Sequence, residues 1–179
     1  STAGLGTQND EIPSIYDADI WGVSGTIDWQ LTDNLKIKSI SAYRNLLSNF
    51  AYGGDGTPFQ LSWVRDHYDQ QQFSQEIQLQ GVAFDDRLQW IIGGYYFEED
   101  GLNYNPVDFA LLDIESGGFF DHSSKAVFAQ GTFDVTERLH ITAGIRYTKD
   151  TKDFIVRDFA WNGPSTIAAT GQTIVLQSA

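Results

Sequence analysis

The sequence has no cysteine, no methionine, only four prolines and few positive charges. Without cysteine there is no disulfide, no thiolate nucleophile and no zinc–sulfur site. Eleven Lys and Arg stand against 24 Asp and Glu, a formal charge of −13. That is the wrong sign of field for a polyphosphate, so nucleic acid is excluded as a partner. Long hydrophobic runs are missing as well. The longest, about Trp90–Phe97, falls far short of the ~20 apolar residues that a spanning helix needs. A chain that opens on Ser1 with no leader and no methionine is expected to be a processed or excised piece. None of this excludes a membrane, because β-barrels cross bilayers on strands of alternating polarity. What is abundant is aromatic residues, at 14%, and glycine, at 17 positions. Many aromatics and glycines with few aliphatics point to an all-β protein with specialised surfaces.

Three short phrases repeat along the chain: Leu31-Thr-Asp-Asn-Leu-Lys-Ile37, Phe84-Asp-Asp-Arg-Leu-Gln-Trp90 and Val135-Thr-Glu-Arg-Leu-His-Ile141. Each is an apolar residue, a polar turn and then Leu-x-apolar. Turns this short between alternating stretches are hairpin connections, so turns are expected near 32–34, 85–87 and 136–138.

The flanks alternate with period two. Val23, Gly25, Ile27, Trp29 and Leu31 share one face, and Ser24, Thr26, Asp28 and Gln30 the other. Leu35, Ile37 and Tyr43 lie opposite Lys36, Lys38 and Arg44, although Ser39, Ile40 and Ser41 blur the pattern. Phe73, Ile77 and Leu79 oppose Ser74, Glu76, Gln78 and Gln80. The return strand carries Leu88, Trp90, Ile92 and Tyr96, and becomes apolar on both faces at Ile91, Tyr95 and Phe97. Val127, Ala129 and Phe133 oppose Gln130, Thr132 and Asp134; Leu139, Ile141, Ile145 and Tyr147 oppose His140, Thr142 and Arg146. These strands are about 10–14 residues long, twice the usual length in a soluble sheet. Eleven residues at ~3.3 Å rise and ~45° tilt cover roughly 26 Å, the height of an outer-membrane apolar band.

Long loops are expected over 48–72 and 98–124, with Pro58 and Pro106 in them and no proline in any strand, since a ladder needs every N–H. Short turns on one rim and long loops on the other is the asymmetry of outer-membrane barrels. Trp21, Trp29, Tyr43, Phe73, Trp90, Tyr96, Phe133 and Tyr147 fall on or near the ends of the outward faces, as an interfacial girdle requires.

Three stretches resemble the barrel hairpins of TonB-dependent outer-membrane receptors. They are Leu35-Lys-Ile-Lys-Ser-Ile-Ser-Ala-Tyr-Arg44; Gln72-Phe-Ser-Gln-Glu-Ile-Gln-Leu79 with Phe84–Trp90 and Gly93-Gly-Tyr-Tyr-Phe97; and Lys125-Ala-Val-Phe-Ala-Gln-Gly131 with Leu139-His-Ile-Thr-Ala-Gly-Ile-Arg-Tyr-Thr148. The resemblance covers roughly residues 20–152. It implies a bacterial outer-membrane location and a 22-stranded barrel around an N-terminal plug. It also implies import of a scarce substrate (siderophore-iron, haem, cobalamin or an oligosaccharide) driven by a TonB-type energy-coupling protein. The partners it implies are outer-membrane lipid and lipopolysaccharide, the coupling protein through the plug, and the substrate. This stretch carries no plug, no coupling box and no terminal aromatic. It offers six strands, or seven to eight if 153–160 and 172–178 are strands. The expectation is therefore a single partial barrel domain over 1–179, a fragment of the larger barrel. Residues 1–19 are acidic and show little periodicity.

Site candidates fall into three groups. Asp28, Lys36, Lys38, Arg44, Glu76, Asp134, His140 and Arg146 alternate onto the lumenal face, where they line a substrate path or, more plainly, pair across strands or face the plug. Tyr52, Trp63, His67, Tyr68, Tyr104 and His122 lie in the long loops, where aromatic rings stack on a ligand or simply pack the loops. Glu98, Glu99, Asp100, Asp108, Asp113, Glu115 and Asp121 are a cation site or a solvated acidic surface. No catalytic motif, phosphate loop or metal spacing is present, so no cofactor, no metal and no enzymatic activity are expected. Two other readings stay open: a self-contained eight-stranded outer-membrane structural or adhesion barrel, and a soluble carbohydrate-binding β-sandwich.

Overall fold

Alternating stretches joined by polar turns build a single antiparallel sheet. A computed structural model describes residues 14–54, 61–109, 112–161 and 172–177. They form β1 (Ile15–Thr32), β2 (Leu35–Gly53), β3 (Ser62–Ala83), β4 (Leu88–Phe109), β5 (Asp113–Thr136), β6 (Leu139–Trp161) and β7 (Gln172–Gln177). Each strand pairs with the next in sequence order, so the topology is up-and-down. β1 and β7 are the two edges and do not touch, so among the described residues the sheet is open.

One rim, here called proximal, carries three tight turns: Asp33–Asn34, Phe84–Arg87 and Glu137–Arg138. The middle turn holds Phe84, Asp85 and Asp86 at φ of 56°, 54° and 66°. That left-handed backbone suits Asp and strains Phe. Arg87 compensates by reaching across to β5. Its guanidinium donates to the Asp134 carbonyl (2.9 and 3.0 Å) and the Val135 carbonyl (3.0 Å) and lies over the Phe133 ring.

The other rim departs from expectation. The described parts of 48–72 and 98–124 are almost all strand, not long loop. β2 runs to Gly53 and β3 begins at Ser62; β4 runs to Phe109 and β5 begins at Asp113. Phe109 and Leu112 exchange backbone hydrogen bonds of 2.8 and 3.4 Å. Residues 153–160 are not a separate strand but the outer part of β6, which pairs with β7. Pro106 sits inside β4, where the β3–β4 pairing is interrupted between Val64–Val107 and His67–Tyr104. The missing N–H therefore falls at a gap in the ladder. Pro13, Pro58 and Pro164 lie outside the described residues. Four strands reach 22–24 residues. At ~45° tilt that is roughly 50 Å, about twice the apolar band. The outer half reads as loop in the sequence because its apolar-polar alternation stops. Water on both sides removes the need to alternate, while the ladder continues.

Register fixes the two faces. Val23 stands opposite Tyr43, Tyr43 opposite Phe73, Trp90 opposite Gly131 and Ile145 opposite Ala129. This face stays bare: Ile145 is 76% exposed, Tyr147 and Ile27 are 69%, Trp29 is 63% and Val127 is 61%. The adjacent Ala126, on the other face, is 5% exposed. A sheet curved around the second face gives this contrast. No large side chain among the described residues is fully buried. So the greasy positions are not sealed in a core, and an apolar surface of this extent marks a contact surface for a membrane or another protein. The blurred stretch of β2 also resolves: Ser41 donates to Gln75 Oε1 (2.5 Å) and Gln75 donates to Ser39 (3.0 Å), so these convex-face polar groups satisfy one another.

Candidate functional site

The concave face is polar because every second residue of the alternating segments is polar. Asp28 pairs directly with Lys38, Arg44 with Gln72, Ile40 with Glu76, Asp134 with His140 and Phe128 with Arg146. Register thus carries all eight predicted polar residues onto this one face. Lys36 also reaches Asp28 at 3.5 Å. His140 Nδ1 lies 2.5 Å from Asp134 Oδ1. Gln80 donates to Gln78 (2.6 Å), and Gln78 donates to Glu76, making a polar ladder along β3. Arg146 spreads over the Tyr95 and Phe128 rings at 5.8 and 5.9 Å and donates to Thr148. Toward the proximal rim this face lines a 460 Å³ recess between Lys36, Gln80, Gln89, Gln130 and Thr132.

Toward the distal rim the concave face changes character. Tyr68 stacks on Phe120 at 5.8 Å, and Phe97 meets the His122 ring edge-on at 5.4 Å. Gln70 donates to Glu99, whose other oxygen lies 3.5 Å from His122 Nδ1. Asn103 and Asn105 donate to the two Asp66 oxygens at 3.4 and 2.5 Å. A 470 Å³ recess is lined here by Tyr16, Phe50, Asp66, Tyr68 and Asn103. Burial, and then the Glu99 carboxylate, raise the Tyr68 phenol above its ordinary value, so it is a hydrogen-bond donor in this recess. His122 Nε2 is buried without a protein partner. Aromatic faces beside carboxylate and carboxamide groups suit the capture of a polar ring-bearing ligand.

The six predicted ligand-binding aromatics do not form one cluster, and they lie on strands rather than loops. Period two divides them. Tyr52, Tyr68 and His122 lie on the concave face. Trp63, His67 and Tyr104 lie on the convex one, where His67 pairs with Tyr104 and its Nδ1 lies 2.7 Å from Asn49 Oδ1. The acidic segment divides too: Glu99 faces inward, while Glu98, Asp100, Asp108, Asp113, Glu115 and Asp121 share the convex face by register. No cluster of three potential metal ligands occurs among the described residues. Asp66, Gln70, Phe120, Asn103 and Asn105 were missed. Continuing the count of twos outward from Phe73 would have placed Asp66 and Gln70 on the concave face.

The family described as TonB dependent receptor-like, beta-barrel matches residues 1–169. The chain belongs to this family. The crystal structure of the ferric yersiniabactin uptake receptor FyuA from Yersinia pestis aligns with 92% of the chain at a TM-score of 0.68 and 17% identity. No curated protein sequence matches. The chain spans about a quarter, 24%, of the length of that receptor, so it corresponds to one sector of a TonB-dependent receptor barrel. The family is one of outer-membrane receptors. In that setting the apolar convex face is the lipid side, and Trp21, Tyr43, Phe73, Tyr96 and Tyr147 form the collar of the band on its distal border. Trp29, Trp90 and Phe133 form the proximal collar. Indole fits at Trp90 because Gly81 lies opposite it: a Cβ on Gly81 would stand 2.5 Å from the ring.

Proposed function

We propose that this chain is a wall sector of an outer-membrane receptor importing a scarce substrate, and that its distal concave face takes part in substrate capture. The observation that carries the reading is the pairing of a bare apolar convex band with a polar concave face along one register. That pairing suits a wall between lipid and a wet lumen. The proximal polar ladder, Asp28 to Arg146, would then face the plug. The recess at Asp66, Tyr68 and Asn103 would meet cargo first, since strands that overhang the apolar band belong on the outer side. Siderophore-iron, haem, cobalamin and oligosaccharide all present ring systems and polar groups that fit aromatic and carboxylate partners. The likeness to a ferric yersiniabactin uptake receptor favours the first of these. Energy would come from a TonB-type protein acting on the plug.

The test is substrate binding by the full-length parent with Asp66→Ala and Tyr68→Ala together. Affinity for the cargo should fall about tenfold or more, the scale of two lost polar and stacking contacts. Heat-dependent gel migration should still report a folded barrel. Unchanged affinity in a folded double variant would remove the distal face from the binding site.

A further inference from the structure

The convex face carries a second apolar patch, separate from the band. Two rows beyond Tyr43 and Phe73, register aligns Leu102 on β4, Phe119 on β5 and Ile155 on β6. At ~3.3 Å rise and ~45° tilt that is roughly 9 Å above the collar. Leu47 continues the row on β2, with Asp69 between. Phe119 is 49% exposed. The row beneath, between the patch and the band, is Asp100, Asp121 and Asp153, each directly opposite the next. The two rows line a 590 Å³ recess. No Lys, Arg or His forms an ion pair with these carboxylates among the described residues. Asp100 accepts a hydrogen bond from Gln71 at 2.9 Å. Arg157 lies on the far side of the patch, 5.9 Å over the Phe119 ring. Like charges directly opposite one another destabilise a sheet, and apolar side chains left in water add nothing to the fold. A partner that is basic along one edge and apolar beside it would relieve both.

We propose that this patch docks a basic amphipathic helix of another protein. Its apolar face would lie on Leu102, Phe119 and Ile155, and its Lys or Arg edge on Asp100, Asp121 and Asp153. Charge and position choose the occupant. Acyl chains end at the collar below, and the aspartates repel an anionic lipid head. A second copy of this chain would bring the same aspartates. No group of three carboxylates among the described residues is placed to hold a metal ion. From Leu47 on β2 to Ile155 on β6 is four strand spacings, roughly 19 Å, the length of about 13 helical residues. An apolar stripe with a charged border is how a groove seats an amphipathic helix. The proposal uses the wall reading above but not the cargo site, which lies on the opposite face.

The test is fluorescence anisotropy of the full-length receptor in neutral detergent. The probe is a labelled synthetic helix of about 14 residues, with leucines on one face and lysines along one edge. Asp100→Asn, Asp121→Asn and Asp153→Asn together should weaken binding about tenfold, roughly twofold per aspartate, and the difference should shrink as salt is added. Phe119→Ser with Ile155→Ser should weaken it about tenfold or more at any salt. Glu137→Gln, a like charge change on the proximal rim, should leave it intact. Equal binding by the asparagine variant, equal binding of the same peptide with glutamates for lysines, or binding no tighter than to receptor-free micelles overturns the proposal. Displacement of the peptide by calcium reassigns the aspartate row to a divalent cation, and a receptor dimer that Phe119→Ser disperses reassigns the patch to a second copy; either overturns it. Heat-dependent migration confirms that each variant is a folded barrel, and cargo affinity, unchanged in the asparagine variant, separates this site from the function proposed above.

Discussion

The proximal and distal halves of this sheet share one ladder but face different solvents. In the proximal half, Ile27 stands opposite Ser39, Ile77 opposite Gly94 and Val127 opposite Tyr147, with charged and amide groups on the reverse face. Beyond the distal aromatic collar the pairing goes on, with an interruption between β3 and β4 at Pro106. There, however, the convex face places Asp100, Asp121 and Asp153 directly opposite one another. The hydrogen bonds that make a strand are indifferent to what the side chains meet. Alternation is imposed only where one face must be dry. The comparison teaches that period two reports the height of the apolar band, not the length of the strand.

The largest effect should come from the same substitution made in both halves. Ile145→Arg, mid-band on the convex face, should cost about 2–4 kcal/mol of folding free energy in lipid vesicles. Ile155→Arg, on the same strand and face but beyond the collar, should cost about 0–1. Equilibrium unfolding in urea would measure both, and equal losses would break the assignment of the two halves to two solvents. Next in size is the proximal rim. Arg87→Ala removes three hydrogen bonds to the Asp134 and Val135 carbonyls and a contact with Phe133. In this exposed setting a loss of about 1–2 kcal/mol is expected, in the same assay. The smallest effect tests the distal row. Asp121→Asn relieves repulsion from both Asp100 and Asp153, so stability should rise by up to about 1 kcal/mol. The gain should shrink as salt is added, because exposed charges are screened. A loss, or a gain indifferent to salt, would mean that the three carboxylates do not repel as their register implies.

How much could be read from the residues varies along the chain. At Leu31–Ile37 and Val135–Ile141 the polar turn is flanked by clean alternation, so hairpin and face were both legible. At 84–87 the turn was visible, but not that Phe84 would take left-handed backbone, because the contacts that hold this turn run from Arg87 to β5, a strand distant in sequence. Over 98–124 the acidic residues suggested a solvated loop. Solvated they are, yet on strands, and nothing local marks a ladder whose partners are a neighbouring hairpin. Tyr52, Tyr68 and His122 were found as candidates, but their separation from Trp63, His67 and Tyr104 needed the true strand bounds.

Polarity at period two, with tight polar turns between, determined by itself the sheet, its antiparallel order and the identity of the dry face. A side chain's exposure to lipid or water is written in its own chemistry. Strand length beyond the band, the sorting of aromatics and carboxylates between faces, and the meeting of Leu102 with Phe119 were decided only in three dimensions. Each depends on backbone hydrogen bonds to another strand, and backbone groups are the same in every residue but proline.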